Sequence, residues 1–147
     1  EEMSTEDDVR AKFGIIWPAH VSSLTEFLLA CRDSFDGDLD MFLVMCVIGD
    51  RTFSARHVDP KMSYDVFRGR PPAIVSEDIN IRSIADFSGI PRETVRRKIS
   101  LLQKKGWIER SSNGSIVATT SAKQDLEPLT LSSIKYIARM KAILGHI

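Results

Sequence analysis

Apolar and polar positions along this chain fall into blocks whose period shifts from helical to strand-like and back. From about Pro18 to Phe35 the set Val21, Leu24, Phe27, Leu28 and Cys31 keeps to one helical face and predicts an amphipathic helix. Asp33-Ser34-Phe35-Asp36-Gly37 ends it, with Gly37 suited to the terminal turn, and Asp38 or Asp40 can cap a second helix. That helix contains Met41 to Ile48, apolar all round, which predicts the buried centre of a bundle, with Arg51 to His57 as a polar extension. Residues 58–78 hold Pro60, Gly69, Pro71 and Pro72 and read as a connector with one short helix near Ser63 to Phe67. Asn80 then caps a helix from Ile81 to Phe87 that turns Ile84 and Ala85 inward. Gly89 supplies the positive φ of a sharp turn, and Pro91 opens another helix whose Val95, Ile99 and Leu102 form a buried stripe closed off by Gly106.

After Gly106 the period becomes that of strands. Trp107 to Arg110 and Ile116 to Thr120 flank Ser111-Ser112-Asn113-Gly114-Ser115, a hairpin signal. With Asn113-Gly114 as a two-residue turn, Ile108 would face Thr119, Glu109 would face Ala118 and Arg110 would face Val117. Residues 121–128 read as a polar connection. A last helix from about Leu129 to Gly145 carries Leu131, Ile134, Tyr136, Ile137, Met140, Ile143 and Leu144, with Ile147 just beyond. These cover more than one narrow stripe, so one neighbour would leave apolar surface bare. This predicts a homodimer formed through the helices near 18–35 and 129–147. The first residues are acidic and polar without apolar periodicity, and 1–17 read as a disordered or loosely attached arm. The expected organisation is arm 1–17, helical region 18–57, connector 58–78, a helix–turn–helix and hairpin domain at 79–120, and a C-terminal helix within 121–147.

Composition changes the picture little and charge changes it more. A chain of 147 residues, 43% apolar, can bury one core with helices to spare. Net charge is zero, but it is not evenly spread. Residues 1–50 hold eleven acids and three bases, a balance of −8, whereas residues 82–110 hold eight bases and three acids, a balance of +5. One basic segment against an acidic remainder suits a single polyanion-facing surface. No uninterrupted apolar run of about 18 residues occurs, so no membrane span is expected. Two cysteines, Cys31 and Cys46, in apolar helical surroundings fit buried thiols in a reduced, cytoplasmic protein.

The segment Ile84-Ala85, three residues, Gly89-Ile90, then Arg92-Glu-Thr-Val-Arg-Arg97 resembles bacterial winged helix-turn-helix transcription regulators. Leu101-Leu-Gln-Lys-Lys-Gly-Trp-Ile-Glu-Arg110 is similar to the helix end and first wing strand of MarR-like proteins, and the layout of flanking helices resembles theirs. The string Arg-Glu-Thr-Val-x-Arg, from Arg92 to Arg97, resembles the recognition helix of the catabolite activator family. The resemblance covers about 40 residues. It implies a mainly α fold with a small β-hairpin wing, flanked by N- and C-terminal helices, and binding to double-stranded DNA. Two features depart from it: the wing tip, Ser-Ser-Asn-Gly-Ser, lacks the usual bases, and the connector is long.

On a helical wheel the side opposite Val95, Ile99 and Leu102 centres on Glu93 and Arg97, with Arg92, Thr94 and Arg96 flanking them. Arg92 and Arg97 can present bidentate forks to guanine and Glu93 can accept from cytosine. Thr94, Arg96 and Lys98 suit phosphate, as do Arg82 on the preceding helix and Arg110, Ser112 and Asn113 on the hairpin. The competing reading is a winged-helix protein–protein interaction module without DNA binding, which would expose apolar anchors rather than arginines. No HExxH, Walker loop, GxSxG or paired CxxC occurs, and His20, His57 and His146 lie far apart, so no enzyme, metal or cofactor is expected. A small-molecule effector fits the resemblance, but no residue identifies one.

Overall fold

The computed structural model describes residues 4–54, 58–70 and 79–145. The expectations for residues 1–3, 55–57, 71–78, His146 and Ile147 lie outside them. The described residues are mainly helical with one two-stranded antiparallel sheet. They form two compact units, 1–34 with 127–147, and 35–126.

The first unit contains α1 (Thr5–Ala11), α2 (Phe13–Ser34) and α8 (Glu127–Gly145). Residues 5–11 and 13–17 are therefore helical and not disordered, with Lys12 as the turn between them, although α1 buries none of its residues. Their order comes from polar contacts that an apolar period does not reveal. Ser4 accepts the Asp7 N–H at 3.1 Å, Glu6, Asp7 and Asp8 sit at the positive end of the α1 dipole, and Glu6–Arg10 and Asp8–Lys12 pair at i, i+4. The Lys12 carbonyl accepts from Ile15 and Ile16, starting α2 five residues before Pro18, which lies inside the helix. Phe13 stacks on Trp17 (4.9 Å between centroids), Trp17 lies 5.1 Å from His20, and His20 Nδ1 is 2.6 Å from the Tyr136 hydroxyl of α8.

Glu26 and Asp33 of α2 and Lys135 and Arg139 of α8 line one groove along this helix pair. On a wheel, the opposite flank of α2 carries Trp17, Val21 and Leu28, and that of α8 carries Ile134, Ile137 and Leu144. All six are 40–62% exposed. The spacing 17, 21, 24, 28, completed by half-buried Leu24, is that of a coiled-coil seam. Among the described residues α2 is also the one helix long and apolar enough to cross a membrane by length and composition.

The second unit contains α3 (Leu39–Ser54), α4 (Tyr64–Gly69), α5 (Ile81–Ser88), α6 (Arg92–Lys104), β1 (Ile108–Arg110), β2 (Ile116–Ala118) and α7 (Thr120–Asp125). Asp38, not Asp40, caps α3 through the Met41 N–H at 2.9 Å. Contrary to the all-round apolar pattern, α3 is buried only along Met41, Val44, Val47 and Ile48, and Leu39, Leu43 and Cys46 face solvent. Val44 and Ile48 meet Ile79, Ile84, Val95, Ile99, Leu102 and Ile116 in a core whose members are at most 1% exposed. Each such side chain contributes about 1.5–3 kcal/mol relative to an exposed position. Phe35 sets its ring edge-on to Phe42 (5.4 Å) and Trp107 (5.2 Å) at the margin of this core.

The hairpin register differs from the two-residue turn. Ile108 pairs with Ala118, Glu109 with Val117 and Arg110 with Ile116. The loop is Ser112-Asn113-Gly114: the Gly114 N–H donates to Ser111 O at 2.9 Å and Gly114 takes φ +85°. That is a three-residue loop with glycine in the left-handed position. The Asn113 side-chain oxygen selects it by accepting from the Ser115 N–H at 3.1 Å and from the Ser111 hydroxyl. The Ile116 N–H donates to Ile79 O at 2.7 Å, tying the hairpin to the residue just before α5.

Residues 120–125 are a helix and not a polar connection. Thr119, expected in the strand, is its cap, accepting the Ala122 N–H at 3.2 Å while donating to Gly106 O at 2.5 Å. The short helix expected in the connector is α4, capped by Ser63. Lys123 of α7 donates to Phe67 O (2.8 Å) and Arg70 O (2.7 Å) at the end of α4 and lies 4.2 Å over the Phe67 ring.

Candidate nucleic-acid interface

Three local devices set the position of α6. Asn80 and Ser83 form a reciprocal capping box, which starts α5. Gly89 ends it in the left-handed region (φ +74°, ψ 2°), where a Cβ would be strained, so the chain reverses within three residues. Pro91 then precedes α6 without a side-chain cap, leaving the first N–H groups of the helix open. Ile84 and Ala85 of α5 and Val95, Ile99 and Leu102 of α6 are buried, as the pattern required.

Burying that stripe forces the rest of α6 outward. Arg92, Glu93, Arg96 and Arg97 are exposed and Thr94 is half-buried. Glu93 accepts from Arg96 Nε at 3.2 Å, and an Arg97 nitrogen lies 3.4 Å from the Thr94 hydroxyl, so the row is loosely ordered by neighbours on its own face. Such exposed pairs are worth little and yield to a ligand. Ser100 and Lys104, both exposed, continue the same face by one and two turns. Sequence reasoning passed over Lys104, although its spacing of seven from Arg97 was the signal. Arg82 lies 3.9 Å from Asp86 on the exposed side of α5.

Lys98 does not belong to this face. Its Nζ donates to Asp38 Oδ2 at 2.7 Å and its side chain is 17% exposed, so the expected phosphate role is withdrawn. On the wheel Lys98 flanks the buried stripe, close enough for a long side chain to reach the turn before α3. Burial works to raise the pKa of Asp38. The hydrogen bond and charge of Lys98, with the N–H groups of Met41 and Asp40, outweigh it and hold the carboxyl below its ordinary value. Lys105 is occupied in the same way, 2.7 Å from Asp36 and 4.9 Å over the Trp107 ring.

On the hairpin, Arg110 and Ser112 are exposed. The carbonyl oxygen of Asn113 is spent on the turn, which leaves its amide nitrogen as the group able to meet a phosphate. Cys31 is fully buried, and burial, offset in part by its own backbone hydrogen bond, pushes its thiol pKa up, away from reactive thiolate. Compared with family models, curated proteins and solved structures, the chain matches none.

Proposed function

We propose that the second unit is a winged helix-turn-helix reading head and that the protein is a sequence-specific DNA-binding transcription regulator. The observation that carries this reading is the face of α6. Behind a fully buried stripe it presents Arg92, Glu93, Arg96, Arg97 and Lys104 to solvent, with Leu101, 41% exposed, as the one large apolar side chain α6 leaves open. An α-helix fits the major groove, and these side chains match what base edges and phosphates require. In this reading Arg97 and Arg92 fork onto guanine and Glu93 accepts from cytosine. Arg96, Thr94, Lys104 and Arg82 hold phosphates, as do the uncapped first N–H groups of α6. Arg110, Ser112 and the Asn113 amide meet the flanking backbone from the hairpin.

The first unit supplies the second copy. Two long helices carry an exposed apolar seam on one flank, and a second copy packing seam to seam would complete a four-helix bundle. The six exposed side chains offer on the order of 600 Å² of apolar surface, near the upper end for a monomer's largest patch and close to one side of a standard interface.

Binding to random duplex DNA, measured against salt, tests the proposal. Wild type should bind at low salt, with log K falling linearly in log salt, and an Arg96→Ala/Arg97→Ala variant should show a slope shallower by about one to two units. No affinity at low salt sinks the reading. On a site selected from a random duplex pool, Arg97→Ala should cost about 1–3 kcal/mol and relax preference at one base pair. Equal weakening on every sequence would instead make Arg97 a phosphate contact.

A further inference from the structure

We propose that Asp36 and Asp38 are positioning residues for α6, setting through Lys105 and Lys98 the rotation and register in which the helix presents its arginines. This rests on the reading head proposed above.

The buried stripe of Val95, Ile99 and Leu102 determines which face of α6 points inward. Apolar burial is non-directional, however, and tolerates small rotations and slides of the helix. Two ion pairs anchored in one turn narrow that freedom, the shielded Lys98–Asp38 pair more than Lys105–Asp36, whose carboxylate is 72% exposed. Lys98 of α6 and Lys105, the C-cap that ends it, lie seven residues apart on the same flank, about 10 Å along the helix axis. Each ends 2.7 Å from a carboxylate, on Asp38 and Asp36 respectively. Both carboxylates belong to one short turn before α3.

That turn is itself held. Asp38 gives Oδ1 to the Met41 N–H and Oδ2 to Lys98, so one carboxylate joins the start of α3 to the flank of α6. The Asp38 N–H donates to Phe35 O at 2.9 Å, and Phe35 is wedged against Phe42 and Trp107. Asp36 occupies φ +55° and Gly37 φ +81°, conformations that give the turn a definite shape. The Lys98–Asp38 pair is mostly shielded from water, at 17% and 23% side-chain exposure, so either partner left alone is stranded. A 20° rotation of α6 would move groups at a radius of about 6 Å by about 2 Å, enough to break a bidentate contact with a base.

The test uses Asp36→Asn combined with Asp38→Asn. Asparagine can still cap α3 and still accept a positive φ, so the variant removes the charge pairing and keeps the backbone roles. Lys98→Arg, which keeps the charge, serves as the conservative control. Amide hydrogen exchange is followed along α3, α5 and α6, and binding is measured on a selected duplex and on random duplex. The expected result is a folded double variant whose α6 amides exchange about tenfold faster than those of α3 and α5 relative to wild type. Its preference for the selected duplex falls about tenfold, binding to random duplex stays within about twofold, and Lys98→Arg resembles wild type. Unchanged α6 protection in the folded variant overturns the proposal. So does faster exchange spread evenly over all three helices with the sequence preference intact, the mark of a purely structural pair. If wild type binds no duplex at all, the DNA reading fails alone, and the exchange pattern still decides whether the two acids position α6.

Discussion

Arg96, Arg97 and Lys98 are consecutive bases with three different surroundings. Arg96 leans on Glu93 and Arg97 on Thr94, both toward solvent, while Lys98 reaches back to Asp38. The last contact has a measurable consequence. Asp38 is held below its ordinary pKa in the folded chain, so its contribution is fully present above the unfolded value of about 4 and is lost as pH falls through the folded value. Denaturant unfolding between about pH 5 and pH 2 should therefore show wild type losing stability more steeply than Asp38→Asn, whose side chain does not titrate. Parallel profiles would show that the carboxylate contributes nothing through ionisation. The outward set Arg92, Glu93, Arg96 and Arg97 was legible from the wheel because the apolar stripe beside it is unambiguous. Lys98 was not, since its partner lies 60 residues earlier in a turn that no local spacing links to it.

Elements were readable where an apolar period or a backbone device marks them. The cap at Asn80, Gly89 at positive φ and the Val95, Ile99, Leu102 stripe made α5 and α6 plain. Polar side chains deciding between backbone shapes were harder to see. Asn113 converts an expected two-residue turn into a three-residue loop by bonding to the Ser115 N–H, which shifts the strand pairing by one residue. Thr119 and Thr120 look like strand residues because they are β-branched, yet the Thr119 hydroxyl closes the start of α7. Its second bond, to Gly106 O, ties α7 to the end of α6. Thr119→Ala should therefore destabilise the second unit by about 1–2 kcal/mol, while Thr119→Ser should recover most of that in denaturant melts. An alanine variant as stable as wild type would mean that neither bond matters.

At the scale of the whole chain, one unit is continuous in sequence and the other is assembled from its two ends. The over-wide apolar pattern of the last helix already pointed to an interface, but the seam on α2 became visible only when Phe13–Ser34 proved helical throughout. Ile137, 62% exposed, lies in the middle of the α8 part of that flank. Ile137→Glu should convert a dimer into a monomer in sedimentation equilibrium while leaving the helical circular dichroism signal of the second unit in place. A monomeric wild type at tens of micromolar would remove the second copy from the proposal.

The aromatic residues of the two units carry one more consequence. The chain has two tryptophans, one in each unit: Trp17, half exposed beside His20, and Trp107, buried beneath Lys105 and edge-on to Phe35. Each unit thus has its own fluorophore, the first emitting from a wet environment and the second from a dry one. Trp17→Phe and Trp107→Phe variants separate the two signals. Superimposed thermal traces would mark the chain as one cooperative body, and displaced traces would give each unit its own melting temperature.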